Sequence, residues 1–125
     1  MKKMTIAGWI MTALPSLLLV FSAIMKFVQP PAAAEGFEHL GIPIGLAVGP
    51  GILELTCTAI YLIPQTCVLG AILLTGYLGG ATLTHLRVGD PFIMPVLLGV
   101  VIWGGIFFRE SRLRELIPLR RSKSE

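Results

Sequence analysis

The sequence predicts an all-α fold, a four-helix transmembrane bundle with both the N terminus and the C terminus cytoplasmic. Three observations carry this expectation. First, the 125 residues are 54% hydrophobic and only 14% charged, with a mean hydropathy of +0.82. Soluble domains carry about 25% charged residues, and a chain this poor in charge cannot coat a water-facing surface of its own. Second, the apolar residues gather in four nearly charge-free blocks, at about 4–27, 45–63, 67–85 and 92–108. Each is close to the roughly 20 residues that cross a bilayer at about 1.5 Å per residue. Third, positive charge flanks the first and last blocks. Only helices and closed barrels satisfy the backbone in hydrocarbon, and the blocks lack the two-residue alternation of a barrel strand.

The first block, Met4 to Phe27, follows Lys2 and Lys3. A leader peptide cleaved near Ala32-Ala33-Ala34 is the competing reading. The apolar stretch is longer than the roughly 7 to 15 residues of a leader, and Lys26 stands between it and the alanines, so the block reads as a span. Gly8, Thr12 and Ser16 give this helix a small-residue face. In the loop 29–43, Ala32 to Leu40 favours a short interfacial helix stopped by Gly41.

The second block, Gly45 to Ile63, contains Gly49-Pro50-Gly51, which is expected to break or restart the helix and bring Glu54 into a first turn. Pro64-Gln65-Thr66 then makes a tight turn into the third block, Cys67 to His85. There Gly76 and Gly80 form a G-x-x-x-G with Gly79 on the adjacent line. This spacing predicts a packing face, within the bundle or between protomers, and a central position for the third membrane helix. The fourth block, Phe92 to Phe108, completes a membrane domain over 1–108. A basic tail over 109–125 carries Arg109, Arg112, Arg114, Arg120, Arg121 and Lys123.

The tail accounts for most of the net charge of +3. It reads as a topology signal that touches anionic headgroups, because nucleic-acid binding needs a folded basic domain that the composition does not provide. With an even number of spans the two basic ends agree, and the expected location is a bacterial inner membrane. Cys57 and Cys67 form no C-x-x-C and read as packing residues; Trp9, Trp103 and Tyr61 read as belt or packing aromatics.

Glu54 is the strongest functional pointer. It lies about nine residues, or roughly 13 Å, into the second block, where a lone carboxylate must pair, protonate or face water. Lys26 ends the first span, His85 and Arg87 end the third, and Asp90 follows in the next loop. All approach the outer side, so Lys26, Glu54, His85, Arg87 and Asp90 are expected to form one polar cluster there, extended inward by Tyr77 and Thr82 or Thr84. Lys26, Arg87 and Asp90 also suit plain interfacial anchoring. No nucleophile with a base, metal-ligand spacing or phosphate loop occurs, so an autonomous enzyme is not expected and no catalytic or metal residue is assigned.

The runs Gly51-Ile-Leu-Glu-Leu-Thr-Cys57, Tyr61-Leu-Ile-Pro64, Leu69-Gly-Ala-Ile-Leu-Leu-Thr-Gly-Tyr-Leu-Gly-Gly-Ala81 and Thr84-His-Leu-Arg-Val-Gly-Asp-Pro91 resemble the DoxX-like family of small bacterial membrane proteins. Phe21-Ser-Ala-Ile-Met-Lys-Phe27, Gly36-Phe37 and Leu40-Gly-Ile-Pro43 are similar to it as well. The resemblance implies a four-helix membrane fold and a distant relation to a subunit of thiosulfate:quinone oxidoreductases. It carries the family's polar positions onto Lys26, Glu54, His85 and Arg87. Gln65 departs from the pattern, since relatives often hold a basic residue in that turn; orientation then rests on the termini.

Two function classes stay open. One is a non-catalytic membrane subunit of a redox system that binds quinone or another small ligand at the outer cluster, with a membrane or periplasmic oxidoreductase as partner. The other is a small proton-linked transporter with Glu54 as the titrating carboxylate. In both the lipid bilayer is the first partner, and a homo-oligomer is compatible with the small-residue faces.

Overall fold

The computed structural model describes residues 2–121, which contain helices and turns and no strand. The helices are α1 (Lys2–Val28), α2 (Pro31–His39), α3 (Val48–Leu62), α4 (Cys67–Arg87), α5 (Ile93–Arg109) and α6 (Ser111–Arg114), with 3-10 turns at Ile44–Leu46 and Pro64–Thr66. Three segments are long and apolar enough to cross a membrane: Lys2–Val28, Ile44–Leu62 and Pro64–Arg87. A fourth apolar helix, Ile93–Arg109, has 17 residues. The end of the basic tail, 122–125 with Lys123, lies outside the described residues.

The long helices form a four-cornered bundle in which α1 packs on α3 and α5, and α4 closes the ring against the same two. The third membrane helix, α4, is thus a corner of the bundle and not its centre, contrary to expectation. Packing is inverted relative to a water-soluble helix. On α1 the buried residues are Gly8, Thr12, Pro15, Ser16, Leu19 and Ala23, whereas Ile6, Ile10, Leu14, Leu17 and Phe21 face outward. Lipid offers no hydrophobic drive between helices, so small residues that let backbones approach are placed inside and large apolar ones outside.

The close approaches occur at glycines the sequence did not single out, together with Gly8. A Cβ on Gly70 would collide with the backbone of Tyr61, locking α3 onto α4, and a Cβ on Gly8 would lie 2.7 Å from the carbonyl oxygen of Gly105 on α5. Gly76, Gly79 and Gly80 meet no neighbouring atom within 4 Å of such a Cβ. Within one chain the G-x-x-x-G is therefore not a helix contact: its small faces look onto open space.

Tyr61 ties three helices at the core, its hydroxyl donating to the carbonyl of Ile102 at 2.7 Å and lying 3.4 Å from Thr12 Oγ1. Hydroxyls elsewhere bond back to their own helix: Thr82 to the carbonyl of Leu78 and Thr84 to that of Gly80, each at 2.8 Å. This satisfies them in hydrocarbon; Thr84 lines the same cavity as Lys26 and Glu54, and Thr82 does not.

The connections at one end of the bundle fix where its polar residues lie. Gln29 holds a left-handed backbone (φ 56°) after α1, and its side-chain amide donates to the carbonyls of Lys26 and Ile44, both at 3.1 Å. That clamp compensates the cost of positive φ in a non-glycine residue. Pro30 and Pro31 then launch α2, with Pro31 in the first turn where no amide donor is needed. Gly41 (φ 75°) ends the short helix, as a C-terminal glycine does. α3 runs unbroken through Gly49-Pro50-Gly51, because Pro50 falls in its first turn. Glu54 therefore sits in the second turn and not the first.

Candidate functional site

Lys26, in the last turn of α1, extends its Nζ to Glu54 Oε1 at 2.9 Å and donates also to Ser22 Oγ at 2.7 Å. The Glu54 side chain is 3% exposed and that of Lys26 13%. The hydroxyls of Ser22 and Tyr77 also lie within interaction range of the carboxylate. Gly51 makes the pairing geometrically accessible, since a Cβ there would press on Lys26 Cβ at 3.1 Å and on the Phe27 ring at 3.0 Å. A missing side chain on α3 thus sets the distance between two charges.

A second polar group lies at the same end of the bundle. Asp90, in the α4–α5 loop, is shared by two imidazoles: His39 Nε2 stands 2.7 Å from Oδ1 and His85 Nδ1 3.4 Å from Oδ2. Hydrogen bonding from His39, aided by His85, holds the Asp90 carboxyl below the usual carboxylate range. Arg87 joins neither group; its guanidinium donates to the backbone carbonyl of Leu40, beneath the Gly41 turn. The single five-residue cluster expected from sequence is thus divided into a Lys26–Glu54 pair, a His85–Asp90 contact and a separate Arg87. His39 went unnoticed in the sequence, because its role depends on a partner 51 residues away and no local pattern marks it. Among the described residues no group of His, Cys, Asp and Glu is arranged to hold a metal ion.

A cavity of about 730 Å³ unites part of these groups. Its lining presents the polar side chains of Ser22, Lys26, Glu54, Tyr77, Thr84 and His85 together with the apolar ones of Leu19, Leu53, Leu78, Met94 and Leu98. Gly76 and Gly80 form part of the wall, and the open space at both positions shows what they do in this chain: they leave the cavity wide. Phe37 on α2, with Leu40 and Ile42 after it, closes one side.

A family model for DoxX-like proteins matches residues 10–105. The chain belongs to the DoxX-like family. No curated protein matches it, and no solved structure does. Membership and the apolar helices make this DoxX-like chain a multi-pass membrane protein with a helical bundle. The matched stretch holds every polar side chain that lines the cavity, from Ser22 to His85, with Asp90 beyond them, and excludes the basic tail.

At the opposite end of the DoxX-like bundle, Arg109 lies over the Trp9 ring at 4.0 Å and its Nε donates to Thr12 Oγ1 at 3.2 Å. Glu110 and Arg112 pair at 3.1 Å, and Leu113 of α6 tucks against the core. These contacts pin the start of the tail and leave the cavity chemistry to the Lys26–Glu54 end.

Proposed function

We propose that this DoxX-like protein crosses a bacterial inner membrane four times with both ends cytoplasmic, and that its cavity holds a lipid-soluble ligand with a quinone-type head. It would serve as a non-catalytic membrane subunit of a redox system. α5 at 17 residues spans about 25 Å, within the range of a short membrane helix. Lys2 and Lys3 at one terminus and Arg109, Arg112 and Arg114 at the other support a common cytoplasmic side. The cavity then opens toward the outer half of the bilayer.

The observation that carries the ligand reading is the cavity's mixed lining: a few hydrogen-bonding side chains, Lys26 and Tyr77 among them, in a wall that is otherwise mostly apolar. Because Lys26 and Glu54 neutralise each other at 2.9 Å, a head without net charge is favoured over an anion. A quinone carries two carbonyl acceptors, suited to the Lys26 ammonium and the Tyr77 hydroxyl, on an apolar tail suited to the leucine-lined wall. In this reading electrons would come from a partner oxidoreductase in or outside the membrane. Basic domains for nucleic acid have no place in this reading.

Native purification in mild detergent, with mass spectrometry of retained lipids and proteins, is the direct test. Titration with a short-chain ubiquinone should show saturable binding, weakened about tenfold or more by Lys26→Met, which corresponds to ~1.4 kcal/mol. No retained quinone together with no saturable binding overturns the reading. The proton-linked transporter remains a second reading, favoured by the buried carboxylate on a cavity wall. It requires Glu54→Gln to abolish pH-gradient-driven flux in proteoliposomes, whereas the quinone reading requires no such flux in the native protein.

A further inference from the structure

We infer that α2 is a lid over the cavity and that Asp90, bridging His39 of the lid to His85 of α4, is the latch that holds it shut. The inference rests on the cavity being a ligand site. α2 buries none of its nine residues in the bundle, so packing does not fix it. It is held by few contacts: His39 on Asp90 at 2.7 Å, Arg87 on the carbonyl of Leu40, and the hydrophobic rim of Phe37 and Leu40 against the cavity. On either side the chain has a left-handed residue, Gln29 before and Gly41 after. Gly41, which adopts positive φ without strain, is the position at which a rigid nine-residue helix can swing without unwinding, while the Gln29 clamp anchors the other end.

The latch is built to respond to protons. Its side chains are 58% (His39), 35% (His85) and 27% (Asp90) exposed, so all three exchange protons with water while the lid is closed. Both carboxylate oxygens are engaged, one by the lid and one by the bundle. A protonated imidazole makes each contact an ion pair, and a neutral one leaves a weaker hydrogen bond to a carboxylate that keeps its charge, so the lid loosens as the imidazoles lose their protons. The other charges facing the latch do not invert this sign. Arg87 of α4 is anchored on a lid carbonyl and keeps its charge; Lys26 of α1 and Glu54 of α3 are paired with each other deeper in the cavity. Glu35 and Glu38 lie on α2 itself. Exposed pairs contribute little individually, which leaves the lid near balance instead of locked.

The test is hydrogen–deuterium exchange of the peptide covering 31–40 in the full-length protein in lipid nanodiscs, at about pH 5.5 and 8 after correction for intrinsic rates. Asp90→Asn and His39→Gln should each raise exchange in this segment about twofold to fivefold at the lower pH and abolish its pH dependence. Glu35→Gln, on the same helix and outside the latch, should change neither. A short-chain ubiquinone should bind and leave Asp90→Asn faster than the native protein. Exchange that is unaltered in both latch variants, or that slows as pH rises, overturns the latch whatever the ligand results. Faster lid exchange in the variants without any quinone binding upholds the latch and sinks the ligand reading instead.

Discussion

Lys26 and Glu54 face each other at 2.9 Å across the α1–α3 interface, with the carboxylate side chain 3% exposed and the ammonium 13%. Removing one partner of a buried pair strands the other, at a cost of about 3 to 5 kcal/mol, while replacing both is often neutral. Lys26→Met alone and Glu54→Leu alone should therefore each lower Tm in detergent, and the double variant should recover most of the loss. Lys26→Met should be the worse, because Glu54 is the deeper charge, whereas Lys26 keeps Ser22 and can snorkel outward. Additive losses in the double variant would show that the two charges are not energetically coupled.

The glycines of α4 separate packing from capacity. Gly70→Ala forces a methyl into the backbone of Tyr61, an overpacking that should cost about 1 to 3 kcal/mol. Gly76→Ala and Gly80→Ala add a methyl to open space, and as helix-favouring changes they should leave Tm level or raise it by up to about 1 kcal/mol equivalent. Both should weaken quinone binding by narrowing the cavity. Equal thermal destabilisation at Gly70 and Gly76 would contradict this division.

The helices were legible because their apolar blocks exceed what any soluble helix of this size requires. Family membership was legible for a different reason: the runs around Glu54, Gly76 and His85 are distinctive as strings. The partner choice of each polar residue was not. Five polar residues near one surface are a single cluster on paper, but each side chain reaches only a few ångströms, and the placement of α2 decides that Asp90 meets His39 while Arg87 meets a carbonyl. The glycine roles failed similarly. Spacing identifies a small-residue line, and only the neighbouring helix tells whether that line faces a backbone, as at Gly70, or a void, as at Gly80.

Topology is accessible through cysteine labelling because Cys57 and Cys67 are both buried and give low background with an impermeant maleimide. Glu38→Cys, on α2, should label from outside intact cells, and Gln65→Cys, in the α3–α4 turn, only after permeabilisation. The reverse pattern would turn the basic ends outward and place the cavity in the inner leaflet.

The last prediction concerns the charge at Asp90. Its carboxyl is held below the ordinary value of 3.8, first by the hydrogen bond from His39 and then by that from His85. A depressed carboxylate contributes order that is fully present above its unfolded pKa and is lost as pH falls through the lower folded one. The loop carrying Gly89, Asp90 and Pro91 should accordingly stay structured through mildly acidic pH and loosen only below the usual carboxylate range. Carboxyl-carbon NMR of selectively labelled protein reads the midpoint directly. His39→Gln should move it up toward 3.8, and His85→Gln should move it less, because His39 stands at 2.7 Å and His85 at 3.4 Å from the carboxylate. A larger movement in His85→Gln would mean that the carboxylate is governed from α4 and that the contact with α2 is incidental.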